Sequence, residues 1–508
     1  MIRHLLLGVV VVLGALGSAP ARADQTTDQA KWLLQQAILV HRDGQHNVLL
    51  RALRQLRDPG LEPLFSELVQ RRFEEMKIHG VLGLAEIADP PRVDLALVAE
   101  IEEAGTQARL VSAALDSELL PLEDALQLAN WPGLDPAVRV LVAGQLLAEG
   151  RKIDPGTLNE ALQSDSKALR AMAALLKAEA GDAEAMKVFD EVAAGTGLRA
   201  DAVRQVLLQT ATRHEFDVIA PWATKLLQRD DLSAATTYQA LRAALMFGAE
   251  GAAGQWMQRF EAAPSTAEKL RLAVLAVDVA DHVDPRLFEP VVQSEGPELR
   301  QLGRVGQARA RDEDAGQLIA ELVRMNNLLG TAWALQHASR ISEAKPEQAR
   351  PILVALVKAS DDAYLEQPDG SDRKPRFARE RLDATVQATQ LLHENDPQGP
   401  QLLRKLIADA PILTQEAMLM GLIRSDGKAP HRVIENTGPL ASRTAEAMAL
   451  LLRAKHDQPL TDDQRDQLSV IVRGGTGLRK PLRIQAAWVY LKLNQQARVT
   501  LTELLSGG

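Results

Sequence analysis

The run Asp135-Pro136-Ala137-Val138-Arg139-Val140-Leu141-Val142-Ala143-Gly144-Gln145-Leu146-Leu147 decides how this chain folds. An Asp-Pro pair opens a helix: the Asp side chain accepts from a free first-turn N–H, and Pro tolerates the position because its missing N–H costs nothing there. The rest of the run is mainly Ala, Val and Leu with a single Arg, a composition that suits close packing of helix on helix. The same order, a small or acidic residue, then Val or Leu, Arg and an Ala/Leu-rich stretch, returns around Arg109, Arg170, Arg204, Arg242, Arg271, Arg300 and Arg483. From Arg109 to Arg300, successive copies lie about 29 to 38 residues apart, inside the range of helical repeats. Upstream, Gly80-Val81-Leu82-Gly83-Leu84-Ala85-Glu86-Ile87 and the stretch Val48 to Leu56 fit the same slot. Downstream, Leu335, Ala384, Ala417 and Ala447 occupy equivalent positions.

Each copy reads as two helices and a turn. Leu49, Leu50, Leu53 and Leu56 recur at helical spacing until Asp58-Pro59-Gly60 interrupts them, and Leu61, Leu64, Phe65 and Leu68 resume the pattern. Turns of this kind return at Asp89-Pro90-Pro91, Asp154-Pro155-Gly156, Gly181-Asp182, Asp284-Pro285 and Asp396-Pro397. One pair of helices cannot bury both apolar sides by itself, so stacking on its neighbours is obligatory. The expected fold is all-α, an α-solenoid of about thirteen stacked antiparallel helical pairs.

The Asp-Pro turn and the Val-Arg helix start resemble the HEAT/armadillo class of bacterial repeats, from Gln45 to the C-terminus and best between Asp135 and Leu147. That resemblance implies a long curved surface of the kind used for protein recognition. Units near Ala417 and Ala447 depart from it by lacking the arginine. A tetratricopeptide-like stack is the alternative, though its stricter period and aromatic positions fit poorly with uneven spacing and an aromatic content of 3%.

The N-terminus points to export. A basic start with Arg3 and His4, an apolar run from Leu5 to Gly17 and the segment Ser18-Ala19-Pro20-Ala21-Arg22-Ala23 form a secretory signal, with cleavage expected between Ala23 and Asp24. The run is shorter than the roughly twenty residues a membrane-spanning helix needs. Loss of Arg3 and Arg22 takes the formal net charge from −9 to about −11. An acidic chain without a basic stripe is a poor binder of nucleic acid or anionic lipid. With no cysteine, disulfides, thiolate metal sites and thiol nucleophiles are excluded. The resulting organisation is a signal peptide at 1–23, a lead-in helix or cap at 24–44, and HEAT-like repeats at 45–359. An insertion loop occupies 360–378, and further repeats occupy 379–508. The last unit, Lys480 to Leu505 with Trp488-Val489-Tyr490, serves as a C-terminal cap.

Chemistry is hard to find. His41, His46, His79, His214, His282, His337, His393, His431 and His456 are dispersed, and none makes the His-Glu-x-x-His pattern of a zinc hydrolase. No Gly-x-Ser-x-Gly elbow and no calcium loop occurs. The string Gly474-Gly475-Thr476-Gly477-Leu478-Arg479-Lys480 has the wrong order for a phosphate loop. Gly195-Thr196-Gly197-Leu198-Arg199 repeats it at another junction, so both are expected to end one helix and start the next. The recurring arginines are expected to bridge neighbouring repeats as a ladder, and most of Trp32, Trp131, Trp222, Trp256, Trp333 and Trp488 to pack inside. No catalytic, cofactor or metal residue is assigned. The insertion supplies the candidate partner-binding residues: Asp361, Asp362, Tyr364, Asp369, Asp372, Arg373, Lys374, Arg376 and Phe377.

The expected function is an exported, non-catalytic scaffold, periplasmic or extracellular, that binds protein partners and has no membrane span after leader cleavage. The alternatives are an enzyme or accessory subunit with a site between repeats, and a structural envelope component.

Overall fold

The computed structural model describes residues 18–39, 44–131, 134–325, 328–361, 378–435 and 437–506. The chain is all-α, 75% helical with no strand among the described residues, as the unbroken Ala/Leu/Val periodicity requires. No described helix is long and apolar enough to cross a membrane. Two compact units divide it: a central unit, Val98–Gly399, and a terminal unit made of Met1–Leu97 with Pro400–Gly508.

In the central unit the longer helices form a layer in chain order. Ala104–Asp116, Pro136–Ala148, Lys167–Glu179, Leu198–His214, Ala234–Met246, Thr266–Asp278 and Pro297–Ala310 each pack on the next. The shorter helices between them, among them Leu122–Ala129, Ala220–Leu227 and Ala252–Ala262, pack on the long helix next in the chain. The Asp residues do cap as expected, but several cap a 3₁₀ turn that leads into the second helix. Asp154 accepts from the Gly156 N–H at 2.9 Å and Asp284 from that of Arg286 at 2.8 Å, whereas Asp135 opens its α-helix directly. After Ala310 the order changes: Leu328–Ile341 packs back on Thr266–Asp278, and Gly316–Arg324 packs on Pro346–Lys358.

The terminal unit joins the two ends of the chain. Its layer runs Ile412–Arg424, Arg443–Lys455, Lys480–Leu493, Gln45–Arg54 and Glu74–Ile87, passing from the last repeats to the first. Ser18–Leu39 packs across Lys480–Leu493 and Asp462–Arg473 through buried Ala30, Leu33, Leu34, Ala37 and Ile38. Polar links reinforce the junction. The Gln485 amide donates to the Ala52 carbonyl at 2.6 Å, the Trp488 indole N–H to Asp58 at 2.9 Å, and Lys31 pairs with Glu503 at 2.6 Å. The expected caps, at 24–44 and from Lys480 to Leu505, therefore pack against each other. Four of the six tryptophans, Trp222, Trp256, Trp333 and Trp488, are buried, while Trp32 is half exposed beneath the Lys480 ammonium.

Two packing joints share one spacing. A Cβ on Gly83 would lie 2.5 Å from the Phe65 ring, and one on Gly80 2.7 Å from the Val69 nitrogen. Gly303 and Gly306 stand in the same relation to Val292 and Phe288 in the other unit. The missing side chains let each helix seat directly on a phenylalanine.

Links between repeats exist, but mostly not at the helix starts where the sequence pointed. Arg139 pairs with Glu160, Arg271 with Glu268, and Arg483 donates to the Val472 carbonyl, all close in sequence. Arg242 does join its neighbours, donating to Thr212 at 2.9 Å and Asp278 at 2.7 Å. The more regular ladder lies at helix ends. Arg259, Arg309 and Lys455 each donate to a carbonyl 32 residues earlier, those of Leu227, Val277 and Ile423. These carbonyls lie in last turns, where the helix offers few N–H partners and its end is partially negative. Burial pushes the Lys455 ammonium down to about 8.

Candidate functional site

Three consecutive helices of the central unit enclose a groove of about 310 Å³. Pro136–Ala148 contributes Val140, Leu141 and Gly144, Lys167–Glu179 contributes Met172 and Leu176, and Leu198–His214 contributes Val206, Gln209, Thr210, Arg213 and His214. Its floor is aliphatic and partly open to solvent, with Leu141 at 37% and Val206 at 46% exposure. Gly144 keeps it deep, since a Cβ there would meet only Leu176, at 3.8 Å.

The layer is bent at this point. Pro136–Ala148 touches Leu198–His214 directly, past the helix between them. The bend shows again at the rim, where Arg213 pairs with Asp116 at 3.1 Å although two helices separate theirs in the layer. Stacked helices lie about 8–10 Å apart, so a flat layer would hold those two ends far beyond side-chain reach. The groove is therefore on the concave side. His214, stacked on Phe216 at 5.5 Å, is held below the ordinary histidine range by burial and by Arg213, and stands neutral at the rim.

None of these residues was assigned to a site from sequence, although Val140, Leu141 and Gly144 lie in the run that decides the fold, and a signal was there. Val140-Leu141-Val142-Ala143-Gly144 is apolar at five successive positions. Five residues of helix point in every direction, so one side chain of such a run has to leave the buried face.

Of the candidate residues in the insertion, Asp361 is described: its N–H donates to the Lys358 carbonyl at 3.0 Å, closing the turn after Pro346–Lys358. Asp362, Tyr364, Asp369, Asp372, Arg373, Lys374, Arg376 and Phe377 lie outside the described residues. The glycine strings terminate helices. Gly474 caps Asp462–Arg473 with φ 95°, and Gly197 precedes Leu198–His214 with φ 85°. Arg204, on the helix that follows, donates to the Gly195 carbonyl, and Thr444, from the Arg443–Lys455 helix, to that of Thr476.

The histidines most displaced from their ordinary range sit in the packing. His79, among Arg54 and Asn47, and His337, stacked on Trp333 at 5.3 Å, are both pushed down to about 3 by burial, helped by Arg54 and Arg309 respectively. Their unfolded forms take up a proton near pH 6.5, and the folded forms only near 3. Stability contributed by each is thus complete above pH 6.5 and falls by about 1.4 kcal/mol per unit as pH drops between the two. His337→Gln is expected to flatten the acid side of the stability profile, measured by denaturant titration from pH 7 to 4. An unchanged slope would remove this assignment.

A second cavity, about 690 Å³, lies in the terminal unit between Asp58–Pro63 and the last two helices. Its polar floor is already engaged, with Asp58 holding the Trp488 indole and Lys492 at 3.1 Å. No group of three or more metal-binding side chains converges among the described residues. No protein-family model, curated protein or solved structure matches this chain.

Proposed function

We propose that this chain is an exported, non-catalytic scaffold, a HEAT-like α-solenoid that holds a protein partner in the concave groove over Leu141, Met172 and Val206. The exposed aliphatic floor carries the proposal. Apolar surface left in water costs about 25 cal/mol per Å², and a rimmed apolar concavity built by three repeats is the form in which stacked helices present a binding face. The strongest displacements of proton affinity belong to His79, His337 and Lys455, which hold repeats together and lie outside the groove lining. Export is supported by the leader and by the packing of Ser18–Leu39. The buried residues described on that helix, from Thr26 to Ile38, lie beyond the cleavage point at Ala23.

The test uses the exported form, whose first residue is expected to be Asp24. Val206→Glu places a charge on the groove floor without touching the core. It is expected to abolish partner capture from the exported fraction while leaving the melting temperature within a few degrees. Capture undiminished by the substitution would refute the groove as the binding face.

A further inference from the structure

Arg213 lines one end of the groove, and Asp116, from outside the lining, pairs with it there. Both side chains are largely in solvent, at 58% and 72% exposure, and they join helices that are not neighbours in the layer. An ion pair so exposed contributes little, so opening it is easy. Arg213 is also the one arginine or lysine among the residues lining the groove, beside the neutral His214 and the amide and hydroxyl of Gln209 and Thr210. The groove thus offers an apolar floor and a single cation at one end, with a carboxylate from the chain itself resting on that cation.

We infer that the occupant is an acidic-aliphatic peptide segment of the partner, and that Asp116 is its intramolecular competitor. The segment's aliphatic side chains lie on Leu141, Met172 and Val206, and its carboxylate takes Asp116's place on Arg213. A cavity of about 310 Å³ suits a few side chains rather than a folded domain, which favours a short segment. Gln209 and Thr210, on the same helix between Val206 and Arg213, are placed to accept and donate to its backbone. This rests on the groove being the binding face, and it adds the chemistry of what enters.

Two fluorescein-labelled, N-acetylated peptides test it on the full exported chain by anisotropy: Leu-Leu-Glu-Leu-Glu and its Leu-Leu-Gln-Leu-Gln counterpart. The acidic peptide is expected to bind, weakening with added salt. Asp116→Asn should tighten it about two- to fivefold by freeing Arg213, and Arg213→Gln should weaken it about tenfold or more. The amide peptide should bind weakly and ignore both substitutions. Equal binding of the two peptides, no binding of either, or an acidic peptide indifferent to Asp116→Asn and Arg213→Gln overturns the inference. Failure of the wider proposal looks different. If partner capture falls with Val206→Glu but not with Arg213→Gln, the groove stands and the carboxylate exchange is wrong; if it falls with neither, both are wrong.

Discussion

Asp278→Ala is expected to lower the stability of the central unit by about 3–5 kcal/mol, the loss typical of removing one partner from a buried charge cluster. Asp278 ends the Thr266–Asp278 helix with its carboxylate only 10% exposed. Burial opposes its charge, but Arg242 and Arg340 outweigh burial and hold the carboxyl below the ordinary carboxylate range. Arg242 also reaches Thr212 in the preceding repeat, and Arg340 and the Trp333 indole arrive from Leu328–Ile341. Three helices therefore meet on one carboxylate, with a fourth joined through Arg242, and its removal strands the arginines paired with it. A folded pKa below the unfolded value places this stability above about pH 4, and it is lost as pH falls through the folded pKa. Asp278→Asn keeps the shape and loses the charge, so it should recover part of the loss. Denaturant unfolding of the three proteins at pH 7 measures it. A change below about 1 kcal/mol for Asp278→Ala would show that the cluster contributes nothing net.

Trp488→Ala should cost a similar amount, about 3–5 kcal/mol, and its effect should appear at both ends of the chain. Trp488 is 1% exposed, packs beside Gly60 and donates to Asp58, which lies 430 residues earlier. If the repeat layer passes across the chain ends, hydrogen-exchange protection should fall in Gln45–Arg54 and Ser18–Leu39 as well as in Lys480–Leu493. Loss of protection confined to the last two helices would mean that the ends fold independently.

The all-α fold was legible in sequence because period, turn chemistry and composition agree. Asp135, Asp154 and Asp284 announce helix entries. Which partner each helix chooses was not legible. An amphipathic face demands a neighbour without naming it, so Lys480–Leu493 read as a cap while it packs on Gln45–Arg54. The arginine ladder was sought at Val-Arg positions because these recur in sequence. The links at Arg259, Arg309 and Lys455 answer instead to carbonyls at helix ends, which sequence shows only through helix boundaries. Attention to the insertion came from its composition, whereas the groove depends on curvature. Asp116 and Arg213 meet across two intervening helices of the layer, and no local pattern records such a meeting.

The most direct measurement is site-specific photo-cross-linking in the native exported fraction. A photoreactive side chain at position 206 lies on the groove floor, and one at Lys225, exposed on the shorter Ala220–Leu227 helix, is outside the groove lining. Adducts to one polypeptide from position 206, absent from 225 and suppressed by the acidic peptide, are the predicted result. Adducts from both positions alike, or from 225 alone, would contradict a partner seated in the groove.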